Sequence, residues 1–98
     1  MTQNKHDQVA NKIAKREGTE YNKGPGADIQ GSRRIIEIET PGTITDAAQQ
    51  LKGYRKPVYI VPTDYKAVPK ALEHYKGTTI GVMTPTGRIV KRSTRARA

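Results

Sequence analysis

The segment Arg33-Arg34-Ile35-Ile36-Glu37-Ile38-Glu39 decides the fold, because it is the clearest β-strand pattern in the chain. Side chains along a strand point alternately to its two faces. One face of this strand therefore carries Ile35, Glu37 and Glu39, and the other carries Ile36 and Ile38. The turn-forming pair Pro41-Gly42 ends the strand. The sequence thus predicts a strand with one apolar face and one face that bears two carboxylates.

Outward from this strand, hydrophobic periodicity predicts three helices and several more strands. The helices are predicted at residues 7–17, 45–53 and 64–76, with Asp7 as the N-cap of the first and Pro69 at the first regular position of the third. The additional strands are predicted at residues 19–21, 27–30, 58–61, 78–83 and 88–90. The run Val58-Tyr59-Ile60-Val61 is almost uniformly apolar, which is typical of a strand buried on both faces. This order predicts an α/β domain with a mixed sheet of four or five strands and helices on both faces.

The chain is short enough for one small domain, which we assign to residues 1–90. It lacks Phe, Trp and Cys, so its core must be built from Ile, Val, Leu, Ala and Tyr. So thin a core makes a homodimer, or a place as a subunit of a complex, a reasonable expectation. Residues 91–98 are predicted to form a basic, disordered tail, because half of them are Lys or Arg.

The chain carries a formal net charge of +9, from 18 Lys and Arg against 9 Asp and Glu. Such an excess on a small domain favours a polyanionic partner, of which nucleic acid is the commonest. A well-solvated basic surface is the simpler alternative. Membrane binding is not expected, because no stretch approaches the roughly 18 consecutive apolar residues of a spanning helix. The polar start from Thr2 to Gln8 predicts no signal peptide, so the cytoplasm is the expected location.

Three acidic residues form the most informative pattern. Eight residues separate Asp28 from Glu37 across a predicted hairpin turn, so the hairpin can bring the two carboxylates together. Glu39 then lies about 7 Å beyond Glu37 on the same face. Adjacent carboxylates repel and raise one another's pKa values, and a hard cation such as Mg²⁺ or Mn²⁺ relieves that repulsion through oxygen ligands. The simpler alternative is an amphipathic edge strand whose glutamates lie in water.

The run from Gly26-Ala27-Asp28-Ile29 to Ile36-Glu37-Ile38 resembles the core of the PD-(D/E)XK nucleases, and particularly that of archaeal Holliday-junction resolvases. The resemblance implies a restriction-endonuclease-like αβββαβ core, in which Asp28 and Glu37 bind a metal ion and the Ile38 carbonyl can add a ligand. The family usually has a lysine where this chain has Glu39, although a minority of metal-dependent relatives share the glutamate. The resemblance also implies one more acid from the first helix, for which Asp7 is the nearest match, with Glu17 and Glu20 as weaker ones.

The segment Gln50-Leu51-Lys52-Gly53-Tyr54 resembles the glutamine-x-x-x-tyrosine signature of the RecB-type branch of the same superfamily. Gln50 and Tyr54 are four residues apart on a predicted helix, so both can point toward the carboxylates. The resemblance implies that they form hydrogen bonds in the active site and position DNA. The simpler alternative places Tyr54 in the core and Gln50 on the surface.

Together these patterns predict a metal-dependent DNA nuclease with Mg²⁺ or Mn²⁺ as its cofactor. The predicted metal ligands are Asp28, Glu37, Glu39 and Asp7, and the predicted catalytic set is Asp28, Glu37, Glu39, Gln50 and Tyr54. The expected partner is double-stranded or branched DNA, held by the basic residues Lys23, Arg33, Arg34, Lys52, Arg88, Lys91 and Arg92. Two alternatives stay open: a catalytically inactive DNA-binding or assembly subunit of the same fold, and a small basic RNA-binding protein.

The histidines and the later tyrosines indicate no further site. His6 and His74 are isolated in the sequence, so neither supports a metal site or a nucleophilic triad. Tyr59, Tyr65 and Tyr75 form no evident platform for stacking bases, and core packing is the simpler account for all three.

Overall fold

A computed structural model describes residues 4–95, in which a five-stranded sheet lies between helices. The helices are α1 (Lys5–Arg16), α2 (Ala47–Leu51) and α3 (Val68–His74). The strands are β1 (Ile29–Gln30), β2 (Ile35–Glu39), β3 (Val58–Pro62), β4 (Gly81–Met83) and β5 (Ile89–Lys91). Short 3₁₀ turns at Ile44–Asp46 and Tyr65–Ala67 lead into α2 and α3. None of the described helices is long and apolar enough to span a bilayer.

The strands lie side by side in the order in which they occur along the chain. β2, β3 and β4 are parallel to one another, whereas β1 and β5 pair with their neighbours in the antiparallel direction. The parallel pairs need crossover connections, and α2 and α3 supply them. The predicted mixed sheet with flanking helices is therefore confirmed, and it has five strands.

Two apolar layers hold the helices against the sheet. On one face, α1 packs its buried residues against β2, β3 and β4; this layer contains Val9, Ala10, Ile13, Ala14, Ile36, Ile38, Tyr59, Val61 and Met83. On the other face, α2 and α3 pack against the same strands; this layer contains Ala47, Leu51, Val68, Ala71, Ile35, Val58, Ile60 and Val82. β3 contributes to both layers, so the prediction that it is buried on both faces is confirmed. The alternation along β2 also follows the predicted faces.

α1 begins two residues before the predicted N-cap. Asn4 caps the helix, and its side-chain oxygen accepts a hydrogen bond from the backbone N–H of Asp7 at 2.8 Å. Asn and Asp are comparable capping residues, so the sequence alone did not decide between them. The earlier start places His6 and Asp7 inside the first turn of the helix, where both side chains are half-buried.

The segment 19–21, which we predicted as a strand, forms none in the structure. Just after this segment, the backbone N–H of Asn22 donates to the Asp28 carbonyl, next to β1, at 2.7 Å. The Asn22 amide also donates to the carbonyls of Pro25 and Ala27, at 2.9 and 3.0 Å. These local bonds turn the chain before a ladder can form, because an Asn side chain competes with regular backbone pairing.

The described part of the predicted tail makes hydrogen bonds with the rest of the domain. Lys91 ends β5, and the buried Ser93 hydroxyl accepts from Val58 N–H at 3.1 Å while donating to the Thr79 carbonyl at 2.7 Å. The Arg95 guanidinium donates to the carbonyl of Leu51 at 2.7 Å. Disorder of this tail, predicted from its charge density, stays a prediction. Residues 96–98 of the predicted tail lie outside the described residues.

Candidate active site

The β1–β2 hairpin brings Asp28 and Glu37 into direct contact. The Glu37 Oε1 atom accepts a hydrogen bond from Asp28 N–H at 3.0 Å, and the Asp28 Oδ2 atom accepts one from Ile38 N–H at 2.9 Å. Each carboxylate therefore binds the backbone of the opposite strand. The spacing of eight residues produces this contact because Ile29 pairs with Ile36, which sets Asp28 opposite Glu37.

Glu37 lies in an environment that opposes its ionisation. Burial, a hydrogen bond shared with the Asp28 side chain and the nearby charges of Asp28 and Glu39 raise the pKa of Glu37 to about 9. The backbone N–H of Asp28 opposes this shift without reversing it. Glu37 is therefore held in its protonated form at neutral pH.

Glu39 is buried beside this pair, with only 7% of its surface exposed, and Glu37 is 6% exposed. Burial raises the pKa of Glu39 above that of an ordinary glutamate. A hydrogen bond with Thr43 and the proximity of His6 reduce this rise without reversing it. β2 lies between β1 and β3, inside the sheet. The alternative of a solvated edge strand is therefore wrong, because neither glutamate lies in water and the strand is not an edge.

His6 joins the cluster, although its isolated position in the sequence indicated no site. Its Nε2 atom lies 2.9 Å from the Ile38 carbonyl oxygen and 3.3 Å from Asp28 Oδ2. Its Nδ1 atom lies 3.2 Å from the Tyr21 hydroxyl. These partners are distant in sequence, so spacing around the histidine carried no signal. Had Asn4 been recognised as the helix cap, His6 would have been predicted on the first turn of α1. In the structure, that turn lies close to the end of β2.

Asp7 contacts the cluster through Tyr21 and His6. The Tyr21 hydroxyl donates to Asp7 Oδ1 at 3.0 Å, and burial, this bond and the surrounding carboxylates raise the pKa of Tyr21 to about 12. Tyr21 therefore stays protonated and ties Asp7 to His6. Of the weaker options, Glu17 lies 3.3 Å from the Arg34 guanidinium near the other end of α1, and Glu20 is exposed.

Tyr54 and Gln50 flank the strand that carries Asp28. The Tyr54 hydroxyl accepts a hydrogen bond from Ala27 N–H at 3.1 Å, one residue before Asp28, and the ring packs against the core. Gln50 is exposed and lines an open pocket together with Gly26 and Tyr54. The structure thus places Tyr54 as a support for the Asp28 backbone, whereas Gln50 faces the solvent next to it.

Gly26 offers a test of this support. Its φ angle is +92°, and an added Cβ atom would lie 2.9 Å from both the Tyr54 hydroxyl and the Gln30 side-chain nitrogen. Gly26→Ala is expected to lower the free energy of unfolding by about 1–2 kcal/mol, because a residue with a Cβ atom is strained at this positive φ angle and the added atom displaces the Tyr54 hydroxyl. Urea unfolding measures this change.

Gly24→Ala is the matched control in the same loop. Its φ angle is not positive, and the nearest atom to an added Cβ is Asn22 Oδ1 at 3.4 Å, which is an ordinary contact. This variant is expected to stay within about 0.5 kcal/mol of the parent. Equal stabilities for the two variants would contradict the role given to Gly26 and Tyr54.

The cluster has the donor chemistry of a hard-cation site, but its oxygens bind protein groups. Carboxylate and carbonyl oxygens are the ligands that Mg²⁺ and Mn²⁺ prefer. Within residues 4–95, however, no group of three or more His, Asp and Glu side chains is arranged to hold a metal ion. The Asp28 and Glu37 carboxylates accept backbone hydrogen bonds, and His6 contacts the Ile38 carbonyl. To bind here, a cation would have to displace the proton of Glu37 and move His6 away from the Ile38 carbonyl oxygen.

The seven predicted DNA-binding residues differ in their availability. Arg34 pairs with Glu17, and the Lys91 ammonium donates to the carbonyls of Thr78 and Ile80. The other five are exposed, namely Lys23, Arg33, Lys52, Arg88 and Arg92. The Lys23 ammonium lies 5.7 Å from the centroid of the Tyr21 ring, whose hydroxyl binds Asp7.

No protein-family model matches the chain, and no curated protein or solved structure is significantly similar to it. The functional assignment therefore depends on the residues of the cluster and on their geometry.

Proposed function

We propose that this protein is a metal-dependent DNA nuclease of the PD-(D/E)XK type, which hydrolyses phosphodiester bonds. The observation that carries the proposal is the contact between the half-buried Asp28 carboxylate and the buried Glu37, with the buried Glu39 beside them. Burying Glu37 and Glu39 beside another carboxylate costs stability, and raised pKa values such as theirs concentrate at functional sites. The net charge of +9 supplies the attraction to a polyanion.

Asp28, Glu37 and Glu39 are the residues that would hold Mg²⁺ or Mn²⁺. When bound, such an ion polarises the scissile phosphate and lowers the pKa of a bound water. Glu37 has to give up its proton before it can act as an oxygen ligand. Glu39, whose pKa is raised by burial, would either bind a second ion or accept the proton of the attacking water.

Neighbouring residues position the cluster and the DNA. Tyr54 fixes the backbone at Ala27, and so the position of Asp28. Gln50 is exposed next to Gly26, where it can donate to a phosphate oxygen. Lys23 and the other exposed basic residues hold the DNA backbone by charge, without reading the base sequence.

An inactive DNA-binding or assembly subunit of the same fold is the second candidate. It is favoured by the internal hydrogen bonds of the cluster, which satisfy Asp28, Glu37 and the Ile38 carbonyl without a metal ion. The glutamate at position 39, where the nucleases usually have lysine, favours the same candidate.

Nicking of supercoiled plasmid DNA separates the two candidates. The parent protein is expected to convert the plasmid to open-circle and linear forms with Mg²⁺ or Mn²⁺, and to leave it intact with EDTA. Binding of the plasmid without cleavage under every metal condition would contradict the nuclease and support the inactive subunit. Glu39→Lys, assayed in parallel, tests whether the lysine common in the nucleases restores or raises the rate.

A further inference from the structure

A second polar site lies at the carboxyl ends of β3 and β4, beside α1. It is a cavity of about 330 Å³ that is open to solvent. Side chains from three regions line it, among them Lys5, Lys12, Thr63, Asp64, Tyr65 and Thr86. Ligands of α/β proteins commonly bind at the carboxyl ends of parallel strands, so the position itself favours binding.

Tyr65 presents an aromatic face at this cavity. Its side chain is 56% exposed, whereas Tyr59 and Tyr75 are only 3% and 2% exposed. Core packing is thus confirmed for those two tyrosines and is wrong for Tyr65. The Tyr65 hydroxyl lies 2.8 Å from Thr86 Oγ1, which lies 3.0 Å from Thr84 Oγ1. The hydroxyl is therefore anchored, and the ring is held in place with a free face.

Basic side chains surround this ring. Lys5 and Lys12 are two turns apart on α1, and both are exposed at the cavity. The hydrogen bonds with Thr86 and Thr84 and the charges of Lys12 and Arg88 lower the pKa of the Tyr65 hydroxyl. The one acid at the cavity, Asp64, accepts a hydrogen bond from Lys66 N–H at 2.9 Å. Positive charge therefore predominates around an exposed aromatic ring.

The cavity adjoins the carboxylate cluster. Thr63, which lines the cavity, donates its backbone N–H to the Glu39 carbonyl at 2.9 Å. β2 and β3 are neighbouring parallel strands, about 4.8 Å apart. α1 contributes side chains to both sites. His6 contacts the carboxylate cluster, whereas Lys5 and Lys12 line the cavity.

We propose that this cavity binds a nucleotide of single-stranded DNA, with its phosphate on Lys5 and Lys12 and its base stacked on Tyr65. An aromatic ring can stack on a base only when the base is unpaired, and a basic groove with a stacking ring is the usual device for holding a single strand. The inference rests on the proposed nuclease function and narrows its substrate to DNA that is unpaired beside the scissile phosphate.

Fluorescence anisotropy with a labelled oligothymidylate and a labelled blunt duplex tests the site in EDTA, where no hydrolysis occurs. Tyr65→Ala is expected to weaken oligothymidylate binding about ten-fold or more, and duplex binding much less. Tyr65→Phe keeps the ring and is expected to retain most of the affinity. Lys12→Gln is expected to weaken oligothymidylate binding more than Lys15→Gln, an exposed lysine of α1 outside this cavity.

Unchanged oligothymidylate affinity in Tyr65→Ala would overturn the proposed site, as would an equal loss for the two probes. If Tyr65→Ala cleaves every substrate at the parent rate, the proposed nuclease function is retained and the proposed nucleotide site is rejected. If the variants show the expected changes in binding but the parent protein cleaves no DNA, the nucleotide site is retained and the nuclease function is rejected. Melting temperatures equal to that of the parent show that each variant is folded.

Discussion

Asp28→Asn and Glu37→Gln are each expected to reduce Mn²⁺-dependent DNA cleavage by at least about a hundred-fold, while DNA affinity in EDTA stays near that of the parent. Losing a residue that merely supports a ligand already costs about 10–100-fold, so losing the ligand itself should cost more. Both replacements keep the shape of the side chain and an oxygen that can accept the backbone hydrogen bonds of the hairpin. Plasmid nicking measures the rate, and anisotropy measures the affinity.

Asp46→Asn is the matched control, because this carboxylate is exposed before α2 and makes no capping hydrogen bond. It is expected to cleave at the parent rate. If Asp28→Asn or Glu37→Gln cuts DNA as fast as this control, the residue concerned is not a metal ligand. Loss of cleavage and of DNA binding together would point to misfolding, which a melting curve detects.

The thermal stability of the metal-free protein is expected to fall as the pH rises from about 5 to about 9, and Glu37→Gln should remove much of this dependence. Glu37 has a folded pKa of about 9, against 4.5 for an ordinary glutamate. The folded state thus keeps a proton that the unfolded state releases above about pH 4.5. The stability that this proton supplies is complete below the unfolded pKa and is lost as the pH rises through the folded pKa.

Calorimetric melting at the two ends of this range measures the effect. The melting temperature of the parent is expected to drop by at least about 5 °C more than that of Glu37→Gln. A smaller slope should remain in the variant, because burial also raises the pKa of Glu39. Parallel pH profiles for the two proteins would contradict the raised pKa of Glu37. Added Mn²⁺ should stabilise the parent most at high pH, where the displaced proton costs least.

Local patterns in the sequence were enough to predict the sheet and the hairpin. The alternation of apolar and charged residues from 33 to 39 and the apolar run from 58 to 61 depend only on strand geometry, so both strands form as predicted. The spacing between Asp28 and Glu37 likewise fixed their contact once the hairpin formed. These features need no information about distant parts of the chain.

The remaining features depend on contacts between distant residues. His6 reaches the Ile38 carbonyl across 32 positions, and Arg95 reaches Leu51 across 44. Neither contact leaves a periodic trace in the sequence. The exposure of Tyr65 is also not evident from the sequence. Only the fold shows that this tyrosine comes after the end of β3 and that its side chain is exposed. The sequence therefore predicted the carboxylates but not the groups that surround them.

The most direct test of the central claim is anomalous diffraction at the manganese edge from crystals soaked in excess Mn²⁺. A manganese peak is expected between the Asp28 and Glu37 carboxylates and within ligand distance of the Ile38 carbonyl, with His6 moved away from that oxygen. Such a peak would show that the Asp28 and Glu37 carboxylates form a metal site. No peak at the cluster, with the Asp28–Glu37 and His6–Ile38 contacts unchanged, would contradict the nuclease assignment.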